Sequence, residues 1–259
     1  MGKVFFSIIM SVYNDENFIE ASVRSILNQT FLDFEFIVIN DASNDKTDVI
    51  LNSLAIYDNR IKYFKNNNNI GLTKSLNHAI SLSQGEWIVR QDSDDISLPQ
   101  RLKDAYNMIK AKNFDFYSTP AISFNEFKSN TIPDYLTRKF FNIDFLKYKN
   151  CLIHGTLIIR RDIMLKVMYD QKFIFSQDFK LYHDLFNSGY TLFYNQSSIT
   201  YKLRIHDNRS TKTNNLDQLN FFNQVLLENG YGQYIDSFMN RIKIKLIEIK
   251  LIITSLIKN

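Results

Sequence analysis

Apolar runs of four to eight residues, three of the first four closed by a polar and acidic stretch, alternate with segments of helical spacing through the first half of the chain. Phe5 to Val12 is continuously apolar with β-branched residues and ends at Tyr13-Asn14-Asp15-Glu16. It reads as a strand buried on both faces. Asn17 to Gln29 carries Phe18, Ala21, Ile26 and Leu27 at roughly helical spacing, and Phe34 to Ile39 forms a second strand that stops at Asn40-Asp41-Ala42-Ser43-Asn44-Asp45. Helical periodicity resumes over Val49 to Tyr57, a short third strand spans Ile61 to Phe64, and Gly71 opens a helix with Leu72, Leu76, Ala79 and Ile80 on one face. Glu86 to Arg90 is the fourth strand. Strand and helix alternating across short connections predict an α/β protein with a mostly parallel central sheet flanked by helices. Ligands of such sheets sit at the carboxyl ends of the strands, so the polar loops should converge on one cleft.

The second half is less regular. The pattern predicts a helix over Leu98 to Ala111, strands over Phe114 to Phe124 and Leu152 to Arg160, a helix over Asp178 to Asn187, and short strands at Tyr190 to Tyr194 and Ile199 to Leu203. Asn125 to Asn150 is poorly patterned, Leu216 to Leu227 is helical, and a last helix starts near Ile235. Without an internal repeat or a Pro/Gly-rich linker, the expected organisation is one domain over residues 1–215, with a nucleotide-binding half (1–110) and an acceptor half (111–215), followed by a helical tail over 216–259.

Composition changes this picture little. Hydrophobic residues at 45% and charged residues at 22% are ordinary for a globular chain. The single Cys151 has no partner for an intrachain disulfide, fits a reducing compartment and is assigned to packing. The apolar N-terminus is broken by Tyr13 to Glu16 without a small-residue cleavage site, which favours a first strand over a signal peptide.

Charge is more telling by position than by sum. Residues 238–259 hold five basic side chains (Arg241, Lys243, Lys245, Lys250, Lys258) against Glu248 alone, which accounts for the whole excess in the net charge of +4. A balanced body excludes a nucleic-acid groove as the expectation, and a basic terminal segment points to an anionic surface. Projected as a helix, residues 235–258 place Ile235, Phe238, Met239, Ile242, Leu246, Ile249, Ile253, Leu256 and Ile257 on one stripe, flanked by Lys243, Lys245 and Lys250. Its uncharged run is far shorter than the roughly 20 residues that span a bilayer. The tail therefore lies on a membrane surface, packs on the body or pairs with a second copy as a homodimer. A cytoplasmic protein, peripheral on the inner face of the membrane, is the expected location.

The stretch richest in chemistry is Asp92-Ser93-Asp94-Asp95, three carboxylates delivered to a loop by the fourth strand. Like charges this close call for a compensating divalent cation, and hard oxygen ligands suit Mg²⁺ or Mn²⁺. The competing reading is an acidic turn favoured by the helix that follows.

A longer pattern weighs between them. Phe6 to Asn14, Ser25-Ile26-Leu27-Asn28-Gln29-Thr30-Phe31, Phe34 to Asp45, Gly71-Leu72 with Asn77, Gln84-Gly85-Glu86 and Asp92 to Asp95 follow one another in the order that resembles family 2 glycosyltransferases. The resemblance is strong over about the first 110 residues and continues more weakly to Ser210. It implies a GT-A fold, a nucleotide-sugar donor, a divalent metal and inversion at the anomeric carbon.

Carried over residue by residue, the resemblance implies Asp94 and Asp95 at the metal and Asp92 with Ser93 at the donor ribose or the metal shell. Asp41 would recognise the base, against a competing role in helix capping; Tyr13 would stack on that base and Ser11 contact it. Lys74 and Asn77 would lie near the diphosphate, with surface and packing roles as their alternatives, and Arg90 would pair with a carboxylate or a phosphate. Phe175-Ser176-Gln177-Asp178 matches the family's acidic dipeptide, which makes Asp178 the general base for the acceptor hydroxyl. His206 echoes a metal or diphosphate contact and His154 the acceptor site. Two departures stand out: Ala42 replaces the usual Gly, and Gln177 the usual Glu.

The resulting expectation is a metal-dependent hexosyl- or hexosaminyltransferase. Its donor would be UDP-linked and its acceptor a glycan or lipid-linked glycan, growing into a surface polymer such as lipopolysaccharide or capsule. A nucleotidyltransferase on a related sheet, or a catalytically silent sugar-nucleotide-binding or scaffold protein, are the alternatives.

Overall fold

A computed structural model describes residues 4–206 and 215–235. The tail helix expected over residues 235–258 therefore lies, beyond Ile235, outside the described residues.

The four expected strands are present as β1 (Phe6–Val12), β2 (Phe34–Asn40), β3 (Ile61–Lys65) and β4 (Trp87–Arg90). They alternate with helices α1 (Ile19–Leu27), α2 (Thr47–Tyr57) and α3 (Leu72–Leu82). Every residue of β1, β2 and β4 is buried, because both faces of the sheet are covered. Ile8 and Met10 pack with Ile19 and Val23 of α1 and Leu51 of α2. Ile9 and Ile37 face the other way, against Leu76, Ala79 and Ile80 of α3.

Downstream come β5 (Ile96–Ser97), α4 (Arg101–Ala111), β6 (Phe116–Ser118), β7 (Ala121–Phe124), β8 (Ser129–Ile132) and α5 (Tyr135–Lys139). They are followed by β9 (Ile158–Arg160), α6 (Arg161–Val167), α7 (Gln177–Asn187), β10 (Leu192–Tyr194), β11 (Tyr201–Arg204) and α8 (Asn215–Glu228). The main sheet has the order β10-β6-β9-β4-β1-β2-β3, parallel except for β9. Chain order reverses across β1, between β2 and β4, and this is where an open α/β sheet presents a crevice. A smaller sheet, β5-β11-β7-β8, stands beside it.

Several expectations change. The helix expected from Leu98 begins at Arg101, because Leu98 N–H is taken by the Thr200 carbonyl and the Pro99 carbonyl by Thr30 N–H. The single strand expected over Phe114 to Phe124 breaks at Thr119-Pro120, sending β6 to the main sheet and β7 to the small one. Of Leu152 to Arg160 only the last three residues are a strand. His154–Thr156 winds a 3-10 turn, with Thr156 Oγ1 donating to the Ile153 carbonyl at 2.8 Å. Val225 and Leu226 of α8 are fully buried in the same core as Phe179 and Leu181 of α7.

Candidate active site

The loops after β1 and β2 are knitted together by short polar side chains. Asn14 N–H donates to Ser43 Oγ at 3.0 Å, Asp15 N–H to Thr47 Oγ1 at 2.9 Å, and Glu16 N–H to Asp45 at 3.0 Å. Asn40 Oδ1 accepts from Ser43 N–H, closing the turn in which Ala42 adopts φ +61°. The Cβ that replaces the usual Gly hydrogen is therefore accommodated in the left-handed region. Asp41, 2% exposed, accepts from Asn66 Nδ2 at 2.8 Å, Ile70 N–H at 2.9 Å and Gly71 N–H at 2.8 Å. Its carboxylate shapes the loop that leads into α3. Tyr13 is half exposed beyond β1 and Ser11 is buried within it. Lys74 is exposed on the first turn of α3. Asn77 is buried, and both ends of its amide bind the backbone of Tyr169, at 2.8 and 2.9 Å. That geometry makes Asn77 a bridge between α3 and the chain after α6, the packing role given above as its alternative.

The acidic loop Asp92 to Asp95 leaves β4 at the sheet's reversal point. Its brace is Gln91, which is fully buried and donates through Nε2 to the carbonyls of Asp92 and Asp95 at 3.1 and 3.0 Å. Gln91 Oε1 accepts from Ser97 Oγ at 2.7 Å and from Arg101 Nη1 at 3.0 Å. Arg101 is buried and also donates to Ser97 Oγ at 2.8 Å, the Arg90 carbonyl at 2.9 Å and the Gly155 carbonyl at 2.6 Å. One guanidinium thus ties both ends of the acidic loop to the turn that carries His154. Burial drives its pKa down to about 10. Tyr201 lies under the same guanidinium at 4.8 Å, and its hydroxyl accepts from Asp92 N–H at 3.1 Å. A Cβ on Gly155 would fall 2.1 Å from that hydroxyl, so only glycine lets the turn sit this close.

The three carboxylates divide as follows. Asp92 pairs with the buried Arg90. Asp94 Oδ2 meets His206 Nε2 at 2.9 Å, and the imidazole rests on Phe18 with ring centres 4.8 Å apart. Asp95 is 2% exposed and accepts from Arg204 N–H at 2.7 Å; burial, then Asp94 and Asp92, push its pKa well up. Asp94 is therefore the more available carboxylate of the expected metal pair. Sequence reasoning missed Asp15, which Ser93 hydrogen-bonds and which lies near Asp94, His206 and Asp45. Burial foremost raises its pKa to about 6.

Across from this loop, the first turn of α7 presents Asp178, whose Oδ2 accepts from Asn150 Nδ2 at 2.8 Å. A carboxylate is favoured at a helix N-terminus. His154 Nε2 shares a 2.6 Å hydrogen bond with the Tyr169 hydroxyl. Burial and the nearby Arg90 charge lower its pKa to about 4, so the ring is neutral at pH 7. A cleft of about 720 Å³ brings together Asp92, Asp94, Asp95, His154 and Asp178. Ser11, Tyr13, Asp41, Lys74, Asn77, Ser93 and His206 do not line it.

These donors suit a hard divalent cation. Among the described residues no group of three or more His, Cys, Asp or Glu side chains is placed to hold a metal ion by itself.

The family model described as Glycosyl transferase family 2 matches residues 7–168. An uncharacterized glycosyltransferase of Methanocaldococcus jannaschii is 30% identical over 69% of this chain; the chain spans 63% of that relative's length. The O-antigen biosynthesis glycosyltransferase WbnJ of Escherichia coli is 33% identical over 80% of this chain and 81% of its own. Among solved structures, S. aureus TarS 1-349 in complex with UDP-GlcNAc superposes with a TM-score of 0.70 at 20% identity, over 97% of this chain and 79% of that one. The mannosyltransferase PcManGT of Pyrobaculum calidifontis, in complex with GDP-Man and Mn²⁺, gives 0.72 at 14% identity, over 98% and 74%. The fold is that of the GT-A glycosyltransferases. Among the described residues no helix is long and apolar enough to cross a membrane.

Proposed function

This chain belongs to glycosyl transferase family 2, and on that premise we propose that it transfers a hexose or hexosamine from a UDP-linked donor to a growing surface glycan, with inversion. The observation that carries the proposal is the pairing, across one cleft, of the acidic loop with Asp178. Direct displacement needs charge stabilisation at the leaving diphosphate and a base at the attacking hydroxyl, on opposite sides of the anomeric carbon.

Asp94 and His206 would hold Mn²⁺ or Mg²⁺, with Asp92, Ser93 and Asp95 shaping the surrounding loop. The cation's contribution, once bound, is to offset negative charge on the departing nucleoside diphosphate. Asp178 takes the proton of the acceptor hydroxyl. Asn150 fixes its Oδ2 and leaves Oδ1 without a protein donor among the described residues. His154, neutral and hydrogen-bonded to Tyr169, lines the acceptor side without competing for that proton. Tyr13, Ser11 and Asp41 belong to the nucleotide end, where Asp41 acts on the base or through the loop it organises; Lys74 lies near the phosphates. WbnJ, named for O-antigen biosynthesis, supports a surface-glycan acceptor. Attachment to the cytoplasmic face of the membrane through residues 235–258 completes the proposal.

A screen of UDP-, GDP- and CMP-sugars by thermal shift and by nucleotide release, with and without Mn²⁺, tests it. Stabilisation and slow hydrolysis with a UDP-sugar only in the presence of metal is the expected result. Neither binding nor hydrolysis of any donor would reject the transferase reading in favour of a silent scaffold.

A further inference from the structure

The wall of the cleft beside Asp178 has a composition that the transfer chemistry does not call for. Ile174 is 60% exposed and Leu219, on α8, is 42% exposed, and both line the cleft together with Phe175. This wall is built rather than incidental. Ser176 adopts φ +53°, at the N-terminus of α7, and its Oγ donates to the Gln218 carbonyl at 3.0 Å, which ties the loop carrying Ile174 and Phe175 to α8. Phe175 is backed by Phe221, with ring centres 6.0 Å apart.

Set among these apolar groups are amides with spare capacity. The side chains of Gln177 and Gln218 line the cleft and make no hydrogen bond among the described residues, and Asn150 uses only its Nδ2, toward Asp178. No Lys or Arg lines the cleft among the described residues, whereas Asp92, Asp94, Asp95 and Asp178 do. An acidic sugar is repelled here. A free amino sugar is attracted by charge yet gains nothing from the apolar wall.

Resting on the transferase reading above, we infer that the acceptor's reacting residue is an uncharged N-acylated amino sugar, whose acetamido group is read by the Ile174–Phe175–Leu219 wall and the Gln177 and Gln218 amides. An acetamido group offers one donor, one acceptor and a methyl group, and the wall supplies the complement of each. Gln177 acquires a purpose in this arrangement: the neutral amide standing where Glu is usual removes a charge next to the acyl group.

Two readouts test the inference. Saturation-transfer NMR on the full chain with UDP and Mn²⁺ uses methyl glycosides of N-acetylglucosamine and N-acetylgalactosamine, the matching hexoses and the matching 2-amino sugars as probes. The acetyl methyl protons are expected to receive the strongest saturation, and Leu219→Ala, at an exposed and foldable position, to reduce it at least threefold. In acceptor-stimulated nucleotide release, the N-acetyl glycosides should act at about tenfold lower concentration than the hexoses or the amines, a factor worth about 1.4 kcal/mol. Hexoses or free amines that match or surpass the N-acetyl probes would overturn the inference while leaving the transferase intact. Acetyl preference that Leu219→Ala leaves unchanged would overturn the assignment to this wall. Failure of the transferase reading has a separate signature: no donor is hydrolysed, whichever sugar the NMR selects.

Discussion

Arg101 is the residue whose removal should be felt furthest from where it sits. Its guanidinium makes four hydrogen bonds, to Gln91 Oε1, Ser97 Oγ and the carbonyls of Arg90 and Gly155. Bonds to a charged donor contribute about 1.5–3 kcal/mol each, so the four together give at least about 6 kcal/mol. These values are already net of desolvation, whose sign shows in the guanidinium pKa, lowered from 12.5 to about 10 by burial. In Arg101→Lys the compact ammonium keeps the burial cost but cannot span acceptors on both ends of the acidic loop and on the 155 turn. Loss of two bonds at the lower value removes about 3 kcal/mol, or roughly 6–12 °C in Tm for a chain of this size. Urea denaturation gives the stability change. Donor KM measured against Mn²⁺ concentration reports the displaced loop, and both should worsen at temperatures where the variant is folded. A Lys variant within about 1 kcal/mol of wild type, with unchanged metal dependence, would refute the reasoning.

Two further substitutions probe the framework. Ala42 holds φ +61°; relief of its Cβ, less the added backbone entropy of glycine, should make Ala42→Gly more stable by about 0.5–1 kcal/mol in denaturant melts. His154 is held neutral with its pKa lowered from 6.5 to about 4. Between those values the unfolded chain binds the proton and the native state does not, so its contribution is full above pH 6.5 and is lost as pH falls toward 4. The span is worth at most about 3 kcal/mol, and His154→Gln should flatten the stability difference between pH 7 and pH 5 relative to wild type.

The parallel half of the fold was legible because β1 and β2 are buried on both faces, so their apolar runs needed no partner to be recognised. Asp92 to Asp95 and Asp178 are singled out by the order of motifs that resembles family 2 glycosyltransferases, because a carboxylate at a strand or helix end is also favoured by the helix dipole and carries no role by its position alone. What the sequence hid is the support beneath them. Arg101 reads as an ordinary surface base in an amphipathic helix, yet its acceptors lie on Gly155 as well as on its own neighbours, and Tyr201 comes from 100 residues downstream. Gln91 carries no motif at all. For Asn77 the resemblance implies a place near the diphosphate and leaves packing as the alternative; the backbone of Tyr169 that its amide satisfies lies 92 residues downstream, beyond the reach of a local pattern. The split of Phe114 to Phe124 between two sheets follows from Pro120, which lacks the N–H a continuous strand needs.

The central claim is that Asp178 removes the acceptor proton in a cleft whose opposite side holds the donor. Asp178→Asn is close to isosteric and can still accept from Asn150, so donor affinity by calorimetry with Mn²⁺ should stay within about twofold of wild type. Transfer to the acceptor should fall by 10²–10⁴-fold. Turnover retained at a tenth of wild type or more, with donor binding intact, would contradict the account.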